Sequence, residues 1–164
     1  MLFRSFLATR GIDGSDSRAL SVIDTQISNS GEEALLLGGS GARISRVHVM
    51  GSQQHGIRAE DNATDTRITD SVIDDAGMLG MPRRSKGAIV FEQASGQFIA
   101  RNRIRRAAYI GIRVFRDATV EDNHISRVCL RMTDCGGIYT FARDRRALNT
   151  RIMRNQISGL RGRL

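Results

Sequence analysis

Four glycine-led apolar segments carry the residue types best suited to chemistry. They are Gly56-Ile57-Arg58-Ala59, Gly87-Ala88-Ile89-Val90-Phe91, Gly111-Ile112-Arg113-Val114-Phe115 and Gly137-Ile138-Tyr139-Thr140-Phe141. Aligned on the glycines, their third residues form one column: Arg58, Ile89, Arg113 and Tyr139. His55 and Lys86 stand immediately before a glycine, and Asp134 stands three residues before Gly137. Arg58 and Arg113 offer bidentate forks for carboxylates. Tyr139 offers a stacking face and a phenolic proton. One chemistry open to this set is β-elimination from a uronate. Arg113 would neutralise the carboxylate, Lys86 or His55 would remove the C5 proton, and Tyr139 would protonate the leaving oxygen. The other is glycoside hydrolysis, which needs two carboxyl groups across the scissile bond. Asp134 would supply one, and Asp74, Asp75 or Asp144 the other.

The same residues also have simpler roles open to them. Arg58 and Arg113 can be solvated strand positions that keep a sheet face soluble. His55 can be a corner residue, and Asp134 can bond backbone amides in its own turn. The glycines can serve backbone geometry at the strand entrance.

What must position these side chains is a second pattern that alternates with the first. An Ile or Val, two residues, a small or amide residue, one residue and a second Ile or Val recur in fixed order. The copies are Val22–Thr25–Ile27, Ile44–Val47–Val49, Ile68–Ser71–Ile73, Ile99–Asn102–Ile104, Val120–Asn123–Ile125 and Ile152–Asn155–Ile157. They recur every 21 to 32 residues or so, the period of a solenoid. Apolar residues alternate with polar ones in both segments, as a strand with one buried face requires. Asn102, Asn123 and Asn155 fall in one column at a bend, where stacked amides satisfy turn groups that a tight corner leaves unpaired. Phe91, Phe115 and Phe141 are expected to share an internal aromatic column. Variable coil length excludes a left-handed hexapeptide helix, and the pattern lacks the leucines of a leucine-rich repeat. A right-handed parallel β-helix of about six two-strand coils is the expected fold, all-β, over residues 17–164, with 1–16 an N-terminal segment or improvised cap.

Loop lengths point to one face. Ile27 to Ala34, Val49 to Gly56 and Ile104 to Gly111 are each seven residues apart, whereas Ile73 to Gly87 is fourteen and Ile125 to Gly137 is twelve. The extra residues bulge at one corner, in loops holding Pro82 and Asp134, and insertions in repeat proteins collect on the working face. A further excursion, Ala142–Thr150, follows the last glycine-led strand. The final repeat stops after Ile157, so the helix is expected to be truncated at that end. An uncapped solenoid exposes apolar ends and edges and tends to pair with itself.

The 164 residues carry a formal charge of +8, and Lys86 is the only lysine among 25 basic residues. Such a surface favours polyanions. Nucleic acid is the less favoured class, because the cations are scattered, aromatics are sparse and no nucleic-acid-binding motif occurs. No apolar run approaches the roughly 18 residues of a membrane span. Met1–Leu7 is too short and too interrupted by arginine to act as a secretory signal. Cys129 and Cys135 can close a small disulfide or remain thiols. Two cysteines without paired histidines fall short of a metal site, and no cofactor is implied.

The repeats, together with Thr133-Asp134-Cys135-Gly136-Gly137-Ile138-Tyr139-Thr140-Phe141, resemble the right-handed parallel β-helix proteins of the pectate-lyase-like superfamily over about residues 17 to 157. The resemblance implies an exported, periplasmic or cell-surface protein that handles polysaccharides as a lyase, hydrolase, epimerase or binding protein. No pectate-lyase calcium signature accompanies it. The expectation is therefore an anionic polysaccharide bound by His55, Arg58, Arg113 and Tyr139. If there is turnover, Lys86, Arg113, Tyr139 and Asp134 would carry it. The rival of another class is a non-catalytic structural or adhesive β-helix, or an inactive fragment.

Overall fold

Each coil is built from strands of three to five residues whose side chains alternate between the inside and the outside. Arg43-Ile44-Ser45, Arg67-Ile68-Thr69 and Arg103-Ile104-Arg105 bury only the central isoleucine. Each of these rungs thus adds one aliphatic residue to a core that runs along the stack. The computed structural model describes residues 2–4 (backbone path only), 9–79, 86–141 and 147–162. Residues 80–85 and 142–146, with Pro82 and Asp144, lie outside the described residues.

All strand pairs are parallel and form three sheets. Sheet I stacks Leu2–Arg4, Gln26–Ser30, His48–Ser52, Val72–Asp74, Arg103–Arg105, His124–Ser126 and Gln156–Ser158. Sheet II stacks Ile12–Gly14, Leu35–Leu37, Ile57–Ala59, Ile89–Phe91, Ile112–Val114 and Ile138–Thr140. Sheet III stacks Ser21–Ile23, Arg43–Ser45, Arg67–Thr69, Phe98–Ala100, Thr119–Glu121 and Arg151–Met153. The chain visits II, III and I in turn and then rises one rung, which makes a parallel β-helix of about six coils. Leu2–Arg4 and Ile12–Gly14, both within 1–16, add the first strands of sheets I and II.

The coil has three strands where the sequence pattern suggested two. The Ile/Val–amide–Ile/Val segment is split between sheets III and I by a left-handed residue just before the amide position. Asp24, Arg46, Asp70, Arg101, Asp122 and Arg154 all have φ between 50 and 55°. They alternate in sign along the corner, and each aspartate bonds the next arginine: Asp24–Arg46 at 2.6 Å, Asp70–Arg101 at 2.7 Å and Asp122–Arg154 at 2.8 Å. These pairs are solvated, so they favour register more than stability. Directly inside the corner, Ser71, Asn102, Asn123 and Asn155 form the expected ladder. Each side-chain oxygen accepts the backbone N–H one rung back, from Val47, Ser71, Asn102 and Asn123 in turn.

The register of sheet II corrects the alignment on glycines. Ile89 pairs with Ile57 and Ile112, so Val90 joins Arg58, Arg113 and Tyr139 in the outward column and Ile89 points inward. Ala88, not Gly87, is the equivalent of Gly56, Gly111 and Gly137. This column faces sheet I: a Cβ on Gly56 would lie 2.6 Å from the Ala88 carbonyl oxygen and 2.7 Å from Ile73 Cγ2. Nothing larger than alanine occupies it. The aromatic column is overturned by the same shift. Phe91 is buried beside Ala59, Phe115 is half-buried after its strand, and Phe141 is exposed.

At the far end Ile152 and Ile157 are 46% and 44% exposed, whereas their counterparts Val120 and Ile125 one rung back are fully buried. Cys129 and Cys135 form a disulfide, Cα atoms 5.8 Å apart, that closes the corner loop before Gly137.

Candidate functional site

The outer face of sheet II gathers Arg58, Arg113 and Tyr139, half of the six site residues that the sequence singled out. Arg58, Val90, Arg113 and Tyr139 occupy consecutive rungs of one column, spaced roughly 4.8 Å apart. The Arg113 guanidinium lies over the Tyr139 ring, 5.9 Å from its centroid. Arg113 also approaches Glu92 at 3.7 Å, and Arg58 approaches Glu33 at 3.6 Å. Val90 is buried between the two arginines, so the stripe is two polar patches divided by an apolar step.

Beneath this face lies a charge cluster. Glu33 is buried, yet accepts from Arg10 Nε at 3.2 Å and faces Arg58. Arg10, Glu33 and His55 are consecutive in register, each two residues before an inward-pointing strand residue. His55 Nδ1 accepts the Gly87 N–H at 3.2 Å, which leaves the ring proton on Nε2. Lys86 is buried too, with Nζ donating to the Gln53 carbonyl oxygen at 2.8 Å. His55 and Lys86 therefore support the face from below and do not line it. They are also one register position apart, because Lys86 aligns with Gln54.

Burial drives the His55 imidazole down to about 4, opposed by the Glu33 carboxylate and reinforced by Arg58 and Lys86. The folded state thus takes up the His55 proton at lower pH than the unfolded chain does. Stability rises with pH between about 4 and 6.5 and is flat above, as far as this residue contributes. His55→Gln is expected to remove about one proton from the pH dependence of unfolding in that window, worth roughly 3 kcal/mol across it. Denaturant titrations at pH 4.5, 5.5 and 7 check this, and an unchanged slope would refute it.

Carboxylates that the sequence reading passed over complete the face. Glu60 and Glu92 follow the paired residues Ala59 and Phe91, so they stand on adjacent rungs. Together with Arg58, Asp61 and Asn62 they line an open depression of about 380 Å³. The signal was available, since each glutamate directly follows a glycine-led segment. Glu33 had no such signal, as nothing in the sequence distinguishes it from Glu32. Asp134 is exposed in the disulfide-closed corner. Asp74 and Asp75 lie elsewhere, on the sheet I side, bound to Arg105 and Arg106.

A family model described as "Right handed beta helix region" matches residues 10–161. The chain belongs to the right-handed β-helix family. Neither a curated protein nor a solved structure matches this β-helix. Among the described residues it has no helix long and apolar enough to cross a membrane, and no cluster of three or more His, Cys, Asp or Glu side chains able to hold a metal ion.

Proposed function

We propose that this β-helix binds a polysaccharide along the outer face of sheet II, with uronate-containing chains favoured. The observation that carries this reading is the Arg58–Arg113–Tyr139 column, with Arg113 stacked on Tyr139 beside an open depression. Guanidinium forks pair with sugar carboxylates, and the tyrosine ring offers a sugar-stacking face. The rung spacing of roughly 4.8 Å suits a ligand with a repeat of similar length. Arg58→Ala combined with Arg113→Ala is expected to weaken polygalacturonate binding at least ten-fold, as loss of charge-assisted hydrogen bonds does. Affinity equal to wild type would remove the site.

Cleavage is the second part of the proposal. Glu60 and Glu92, half-buried on adjacent rungs beside Arg58, favour hydrolysis through a carboxylate pair, with Asp134 as a further, exposed acid. Elimination would use Arg113 to neutralise the uronate and Tyr139 as acid. Its base would have to be Lys86, drawn off the Gln53 carbonyl. A screen on alginate, pectate, glucuronan and xylan, recording unsaturated-uronate absorbance and new reducing ends, separates the routes. Reducing ends alone that vanish in Glu60→Gln or Glu92→Gln support hydrolysis. Absorbance lost in Arg113→Ala supports elimination. Folded protein that binds but turns nothing over is an adhesive or scaffolding module.

A further inference from the structure

An open depression lies away from sheet II, on the face of sheet I and the corner that follows it. It encloses about 590 Å³, and Arg103, Arg105, Arg106, Arg127, Ser126 and Ser158 form most of its lining. The shape follows from two columns. In the outward column of sheet I, Asp74 and Arg105 give way to Ser126 and Ser158, so the surface steps down after the fourth coil. At the corner, the left-handed residues Asp75, Arg106, Arg127 and Gly159 succeed one another, with φ between 52 and 62°. The step forms the floor, and the corner arginines form one wall.

The charges in this depression are only partly satisfied. Arg105 forks onto Asp74 through Nε at 2.7 Å and Nη2 at 2.5 Å. Burial works against ionisation of Asp74, but hydrogen bonds from Arg105 and His48 hold its carboxyl below the ordinary range. Arg106 uses only Nε to reach Asp75, at 2.6 Å. Among the described residues Arg103 and Arg127 have no ion-pair partner. Asp74 is bound through both oxygens and Asp75 through Oδ1 alone; what remains is two uncompensated guanidinium groups, the free edge of Arg106, the Ser158 hydroxyl and the Ser126 hydroxyl, whose contact with the Ile104 carbonyl oxygen is long at 3.5 Å. Nearly all of that capacity is donor and cationic. No aromatic side chain lines the depression, which gives bases nothing to stack on.

We propose that this depression is an oxyanion site, separate from the sheet II face, that takes a sulfate or carboxylate group carried on a glycan chain. Arg103 and Arg127 supply the charge, Arg106 the corner contact, and Ser126 and Ser158 the floor donors. The proposal does not rest on the function assigned to sheet II.

Calorimetric titration with dextran sulfate and with polygalacturonate, neutral dextran as control, tests it. Arg103→Ala combined with Arg127→Ala is expected to weaken binding of one of the two polymers at least ten-fold and to flatten its salt dependence. Arg58→Ala with Arg113→Ala should leave dextran sulfate binding unchanged, and its effect on polygalacturonate should add to that of Arg103→Ala with Arg127→Ala in the quadruple variant, so failure here and failure of the sheet II reading are distinguishable. Ser126→Met fills the floor without changing the net charge and is expected to weaken binding comparably; its melting temperature confirms folding. The polymer affected identifies the anion as sulfate or carboxylate. Wild-type affinity for both polymers in the Arg103/Arg127 variant, equal weakening of dextran sulfate binding in both arginine pairs, an unaffected Ser126→Met, or no binding of either polymer would each overturn the proposal.

Discussion

Phe91→Ala is expected to destabilise the β-helix by about 3–5 kcal/mol, the cost of removing a buried phenylalanine from a site that cannot collapse. Phe91 is fully buried, and its register partner in the preceding coil is Ala59. The ring fills volume that alanine leaves open, and the backbones of adjacent rungs, pinned by the ladder, cannot close on the gap. Phe115→Ala and Phe141→Ala should cost far less, because one side chain is half-buried and the other is exposed. For a chain of this size the Phe91 variant should melt roughly 10 °C lower. The comparison is decisive for the register of sheet II. Three equal losses would restore the glycine alignment and the aromatic column, and the outward position would pass from Val90 back to Ile89.

Asn123→Ala is expected to cost about 3–5 kcal/mol, because it strips hydrogen bonds from backbone groups that no water can reach. Asn123 Nδ2 donates to the carbonyl oxygens of Ile99 and Glu121 and to Asn155 Oδ1, each at 2.9 Å. Its Oδ1 accepts from the backbone N–H of Asn102 at 2.9 Å and from Asn102 Nδ2 at 3.0 Å. Alanine would leave a buried amide N–H at Asn102 and a buried carbonyl at Ile99 without these partners. Asn155→Ala, at the more exposed end of the same ladder, should cost markedly less. Urea denaturation of the two variants tests the gradient. Equal effects would show that the side chains are spaced passively and do not act as a bonded column.

Parts of this architecture were legible because they follow from side-chain chemistry that repeats. The alternation of Ile and Val with polar residues marks the strands, and Asn102, Asn123 and Asn155 announce their corner because a stacked amide both donates and accepts along the stack. The split of that segment into two strands was hidden. Turn rules look for Gly, Asn or Asp at left-handed positions, yet Arg46, Arg101 and Arg154 take the same conformation as Asp24, Asp70 and Asp122. A local motif cannot reveal that an arginine is held left-handed by the rungs above and below it.

The candidate site was half legible for a related reason. The sequence by itself determined the repeat, the parallel stacking and the association of Arg58, Arg113 and Tyr139 in one column, since strand period and coil order suffice to align them. Tertiary structure alone decided that Val90 belongs between them, that His55 and Lys86 lie beneath the face, and that Glu33 is buried against Arg10 and Arg58. It alone also opened the arginine-lined depression on sheet I. Each of these depends on volume and on partners one rung away: Ile89 and Phe91 turn inward because the core has room for them there, and a charge is buried or exposed according to neighbours some twenty to thirty residues distant in the chain.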